Sequence, residues 1–212
     1  MTDLIKKRLK DHNYPGWLHR LALLTWKARG WKLLGKKPSV PKYLLVVAPH
    51  TTNQDFFYYL WLSVGYNIHP YFIAKKDIFN GLQGPIMRSL GGIAIDRTAS
   101  FDVVDKAAEE FRSNKEMVMA ILPEGTRKKR PYWKSGFYYI ALEGEVPIVM
   151  VSMNFKEKWI KMSEPYTLTG EQDRDLDVIR AFYSDAYGIK PENFSDIVFQ
   201  ERKAEQQSGG NT

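Results

Sequence analysis

The sequence predicts an α/β layered domain, with helices flanking a largely parallel sheet, on three observations. Five short apolar runs, Tyr43–Ala48, Tyr71–Ala74, Gly92–Ile95, Met117–Leu122 and Pro147–Met153, read as strands buried on both faces. Helical stretches alternate with them: Gln54–Gly65, Phe79–Leu90, Phe101–Ser113, Ser135–Glu143 and, further on, Asp175–Tyr187. The length, 212 residues with 44% hydrophobic content, suits one domain around a substantial core.

Trp17–Leu34 reads as a helix. It carries three Trp and six Leu, with Arg20, Lys27, Arg29 and Lys32 between them. Trp and Lys/Arg on an apolar helix is the composition of a segment lying at a membrane surface, although a helix packed on its own domain has the same pattern. The net charge of +7 belongs to this end. Residues 1–45 hold 11 Lys/Arg and 2 Asp/Glu, whereas residues 46–212 hold 20 and 22. A basic end points to an anionic membrane, an acidic protein or nucleic acid. The Trp and Leu content favours lipid, and no nucleic-acid motif accompanies it. The expected organisation is a docking segment over residues 1–42, a domain over 43–202 and a disordered polar tail over 203–212.

Lys158–Ser163 is expected to add a strand near a sheet edge. The acidic stretch from Glu164 onward, with 10 Asp/Glu against 5 Lys/Arg, reads as a solvated helical face. The absence of Cys excludes disulfide scaffolds, Cys-ligated metals and a cysteine nucleophile. No apolar window reaches the ~18 residues of a membrane span. The N-terminus lacks a signal peptide's apolar region, so a location on the cytosolic side is expected.

The residues able to do chemistry fall where strands end. After the first strand come His50 and, five residues on, Asp55. Histidine takes a proton near neutral pH, and a carboxylate beside it fixes its tautomer. Positions five apart on a straight helix lie ~140° apart, so the pair meets only if His50 sits in the loop and Asp55 in the first helical turn. After the fourth strand comes Glu124-Gly125-Thr126-Arg127. Glycine permits close approach, and Thr and Arg supply donors suited to phosphate. Lys75 and Asp96-Arg97 end two other strands. Separately, each group also fits a helix cap, a solvated basic turn or a surface ion pair. Together at one sheet edge they suit a base acting on the hydroxyl of a phosphate-bearing substrate. Nucleophile-elbow, P-loop and dinucleotide motifs do not occur, and His12, His19, His50 and His69 lack metal-ligand spacing. Direct, base-assisted transfer without metal, cofactor or covalent enzyme intermediate is the expected chemistry.

Four blocks in order carry a resemblance: His50–Asp55, Gly92–Arg97, Pro123–Arg127 and Val146–Ile148. They resemble the ordered motifs of the PlsC-type glycerolipid acyltransferases, related to 1-acylglycerol-3-phosphate acyltransferase, over roughly Tyr43 to Met153. Ala74–Phe79 and Lys134–Gly136 are similar to two further stretches of that family. Pro49 and Gln54 depart from its commonest residues, and the short chain looks like a compact bacterial-type branch. The resemblance implies acyl transfer from acyl-CoA or acyl carrier protein to a lipid hydroxyl. His50 would be the general base and Asp55 its partner. Lys75, Arg97, Glu124, Gly125, Thr126 and Arg127 would bind the acceptor's polar head. A membrane surface, a lipid acceptor and the thioester are the expected partners, with Arg127–Lys134 able to meet either headgroups or an acidic carrier protein. A thioesterase and a non-catalytic lipid-binding protein are the competing expectations.

Overall fold

The computed structural model describes residues 14–95 and 100–199. In chain order the elements are α1 (Gly16–Ala28), β1 (Lys32–Leu34), β2 (Lys42–Ala48), α2 (Asp55–Gly65), β3 (Tyr71–Lys75), α3 (Gln83–Ser89), β4 (Gly92–Ile95), α4 (Ser100–Ser113), β5 (Met117–Ile121), α5 (Gly136–Glu143), β6 (Ile148–Asn154), β7 (Trp159–Met162) and α6 (Gln172–Tyr183). The sheet has seven strands in the order β1-β7-β6-β2-β5-β3-β4. All neighbours pair in parallel except β6 and β7, which are antiparallel. The expected α/β fold is therefore the observed one.

The sheet separates two helix layers because successive residues of a strand face opposite sides. Leu44, Val46 and Ala48 of β2 pack with Ala107 and Phe111 of α4, Phe137 and Ile140 of α5, and Ile179 and Tyr183 of α6. Tyr43, Leu45 and Val47 pack with Ala22 and Trp26 of α1 and with Leu62 of α2. Each buried Leu, Val, Ile or Phe among them contributes ~1.5–3 kcal/mol. Passing from β2 to β3 and from β3 to β4 moves the same way across the sheet. Right-handed crossovers then place α3 on the α1–α2 side.

Two expectations are corrected. Trp17–Leu34 is not one helix: α1 stops at Ala28, and Lys32–Leu34 forms edge strand β1, parallel to β7. The stop is a Schellman turn. Gly30, at φ +77°, donates its N–H to Lys27 O at 2.9 Å, and Trp31 donates to Trp26 O at 2.9 Å. Because β1 joins beyond it, β7 is the second strand from the edge. The other correction concerns Phe79–Leu90: Phe79 instead closes a 3-10 turn, Lys76–Phe79, and the helix, α3, begins only at Gln83. A Cβ on Gly84 would sit 2.1 Å from Phe79 O, so the chain folds back on itself there. Among the described residues, no helix is long and apolar enough to cross a membrane.

Candidate active site

Strands β2, β5, β3 and β4 run the same way, so their C-terminal ends share one edge of the sheet. Val46 of β2 lies level with Ile121 of β5, which sets the loops carrying His50 and Glu124 side by side. Lys75 is the last residue of β3, in register with Ile95. Asp96 and Arg97 lie outside the described residues.

His50 sits in the loop and Asp55 begins α2, the arrangement their spacing requires. The Asp55 carboxylate is fully buried and reaches back over the loop. Its Oδ2 accepts the N–H of Thr51 at 2.6 Å and of Thr52 at 2.8 Å, and its Oδ1 accepts the Thr52 hydroxyl at 2.9 Å. These bonds fold residues 50–55 into a tight turn ahead of the helix, where a negative charge is favoured. His50 turns Nδ1 to within 3.4 Å of Asp55 Oδ2. Buried Nδ1 has no hydrogen-bond partner among the described residues, so the contact is electrostatic rather than a formed hydrogen bond. A proton on Nδ1, facing the carboxylate, leaves Nε2 as the basic nitrogen.

Glu124 departs from the expectation that it would face an acceptor. It is fully buried, and both its oxygens accept donors of the protein. Oε1 takes the His50 backbone N–H at 2.6 Å, and Oε2 takes the hydroxyl of Ser195 at 3.2 Å. Burial pushes its pKa up to about 7 against these bonds, with the Asp55 charge adding a smaller push. Glu124 therefore joins the two loops. Gly125 follows at φ +63°, where a Cβ would stand 3.0 Å from Lys134 Cε. Its N–H donates to Leu122 O at 3.0 Å and closes the turn. Thr126 is half-buried, and Arg127 and the three basic residues after it are exposed.

Ser195 has no counterpart among the sequence expectations. It follows α6, which ends at Tyr183 rather than running to Tyr187, and its partner Glu124 is 71 residues away in the chain. No local pattern signals such a contact. Among the described residues no group of three or more His, Cys, Asp or Glu is placed to hold a metal ion. A cavity of about 270 Å³ lies at the opposite edge of the sheet, lined by Lys37, Tyr43, Tyr71 and Glu116, and does not reach His50.

A family model described as Acyltransferase matches residues 34–154, which is more than half of the chain and spans His50, Asp55 and Glu124–Arg127. The chain belongs to the acyltransferase family. A comparison with curated proteins finds no match. Among solved structures it is similar to the 1-acyl-sn-glycerophosphate (LPA) acyltransferase PlsC of Thermotoga maritima. That similarity has a TM-score of 0.53 and 19% identity, covering 79% of this chain and 77% of that one. The acyltransferase thus has the PlsC fold, with Ser195 beyond the segment the family model matches.

Proposed function

We propose that this acyltransferase moves a fatty acyl group from acyl-CoA or acyl carrier protein to the hydroxyl of a glycerophospholipid-type acceptor. Lysophosphatidic acid is the first acceptor to try. The observation carrying this reading is the His50–Asp55 pair, anchored at the strand-end edge where the basic turn of Arg127 begins. His50 Nε2 takes the acceptor's proton as its oxygen attacks the thioester carbonyl. A C–O bond forms, the C–S bond breaks, and the imidazolium returns the proton to the departing sulfur. Asp55 steadies the imidazolium while it exists. Such assistance is worth ~10²–10⁴ in rate. Arg127, Thr126 and, at the end of β3, Lys75 are assigned to the acceptor's phosphate, as is Arg97.

The reaction is assigned to the cytoplasmic face of an anionic membrane. Helix α1 buries Ala22 and Trp26 against the domain, with Leu18 half-buried beside them, and leaves Trp17, Arg20, Leu21, Leu24 and Lys27 exposed on its other side. Phe57 of α2 and Leu82 and Ile86 at α3 are exposed on the same side of the sheet; Leu82 is 96% exposed. Residues 14–54 contain Lys and Arg but no Asp or Glu. Each cation near an anionic surface contributes ~1 kcal/mol.

The test supplies a labelled acyl thioester, as CoA and as carrier protein, to wild type and His50→Ala. It runs with lysophosphatidic acid, with other lysophospholipids and without acceptor. Acceptor-dependent, His50-dependent lipid product is expected. Free fatty acid released without an acceptor would instead make the chain a thioesterase. Vesicle binding without turnover on any acceptor would make it a lipid-binding protein.

A further inference from the structure

The segment after α6 crosses the strand-end edge and ties itself to both loops of the site. Tyr187 brackets the end of β6, donating its N–H to Met153 O at 2.9 Å and accepting the Phe155 N–H at 2.8 Å. Gly188 then lies so close to Thr51 that a Cβ there would sit 2.7 Å from the Thr51 side chain. Thr51 Oγ1 accepts the Lys190 N–H at 3.2 Å, and its carbonyl accepts Asn193 Nδ2 at 3.4 Å. Ser195 is 2% exposed. It donates its hydroxyl to Glu124 Oε2 at 3.2 Å and its N–H to the same oxygen at 3.4 Å. The hydroxyl also accepts the Arg130 N–H at 3.1 Å, which closes the basic turn at its far end.

We propose that Ser195 is a positioning residue, whose hydroxyl fixes the buried Glu124 carboxylate so that the carboxylate fixes the His50 backbone and with it the imidazole. The proposal rests on the reading of His50 as the base. Rotation about the last bond of a glutamate is soft. Without the Ser195 hydroxyl, Oε2 keeps only the long Ser195 N–H at 3.4 Å, and the carboxylate can turn while still accepting the His50 N–H through Oε1. The hydroxyl on Oε2 restricts that freedom. It also supplies a donor to a charge taken out of water, which a buried carboxylate needs to stay ionised. Among the described residues, the ionisable groups facing Glu124 include Asp55, Tyr59 and Tyr183, together with His50.

The test measures kcat, acceptor KM and the pH–rate profile of Ser195→Ala, Ser195→Thr, Glu124→Gln and the Ser195→Ala/Glu124→Gln double variant, each checked for folding by thermal melt. Ser195→Ala is expected to lower kcat about 10-fold, with acceptor KM within about twofold. Its acid limb moves to higher pH, because the lost hydrogen bond favoured the charged carboxylate. Ser195→Thr keeps the hydroxyl and restores most of the rate. In the Glu124→Gln background, Ser195→Ala costs less than about twofold more. An unchanged kcat and acid limb in Ser195→Ala would overturn the proposal, as would a full 10-fold loss persisting in the Glu124→Gln background. An active His50→Ala would remove the underlying reading itself. An inactive His50→Ala beside a wild-type-like Ser195→Ala would remove only the role of Ser195.

Discussion

Asp55 and Asp175 are built alike. Each is fully buried, each sits in the first turn of a helix, and each reaches back to the loop before it. Asp175 accepts the hydroxyls of Tyr138 at 2.9 Å, Tyr166 at 2.8 Å and Thr169 at 3.0 Å, and the N–H groups of Thr169 at 3.0 Å and Gly170 at 3.2 Å. Burial pushes its pKa up, yet the bonds from Thr169, Tyr166 and Tyr138 together outweigh that and hold it below the usual carboxylate range. Every one of these donors is neutral, and the shell is full. Asp55 has three such donors from Thr51 and Thr52, and its remaining contact is an imidazole whose facing nitrogen has no hydrogen-bond partner among the described residues. Hydrogen-bond number therefore does not separate a structural carboxylate from a reactive one. The contact left short of a bond does, because a proton arriving on that ring converts it into a strong one.

The comparison can be broken most directly at His50. His50→Ala is expected to lower kcat by about 10²–10⁴-fold with the melting temperature little changed, as steady-state rates and thermal melts will show. Next come the two Asp→Asn variants. Asp55→Asn removes the charge that stabilises the imidazolium and should lower kcat by ~10²-fold or more in the protein that remains folded. Asp175→Asn should cost roughly 3 kcal/mol of stability, by denaturant titration, yet leave kcat of the folded fraction unchanged. A large kcat effect at Asp175 would erase the distinction.

Glu124 sharpens it through pH. Its folded pKa, about 7, lies above its ordinary 4.5. The folded chain therefore keeps a proton that the unfolded chain has already released. The stability involved is fully present below about pH 4.5 and is lost as pH rises through 7, by ~3 kcal/mol. Melts between pH 4.5 and 8 should show this fall in wild type and not in Glu124→Gln; parallel curves would refute it. The smallest effect is at Gly125, where φ +63° and the nearby Lys134 chain should make Gly125→Ala cost about 1 kcal/mol, measured by denaturant titration.

Much of the fold was legible because the central strands β2 and β6 are buried on both faces. Burial on both sides forces continuous apolar runs such as Tyr43–Ala48, and such runs show in a sequence. Strand β1 did not show, since three residues at an edge bury little and Trp31 to Leu34 continue the apolar character of the helix before them. Its separation from α1 rests on the backbone of Gly30. At the site, the His50–Asp55 spacing carried its own geometric condition, which the loop satisfies. The direction of Glu124 was not legible, because a carboxylate in a basic turn reads equally as facing solvent or facing inward. Ser195 was hidden more deeply. Its worth lies in Glu124 and Arg130, and nothing near it in the chain announces either.

Strand β1 has a practical consequence. It stands three residues after α1, so helix and sheet edge come away together. Removing everything before residue 42, to make the enzyme easier to handle, would take β1 as well as the apolar helix. The backbone of Trp159–Lys161 would then present an unpaired rim, the kind along which chains stack into aggregates. Trimming for solubility would work against itself, whereas replacing Trp17 and Leu24 by polar residues would leave the rim covered.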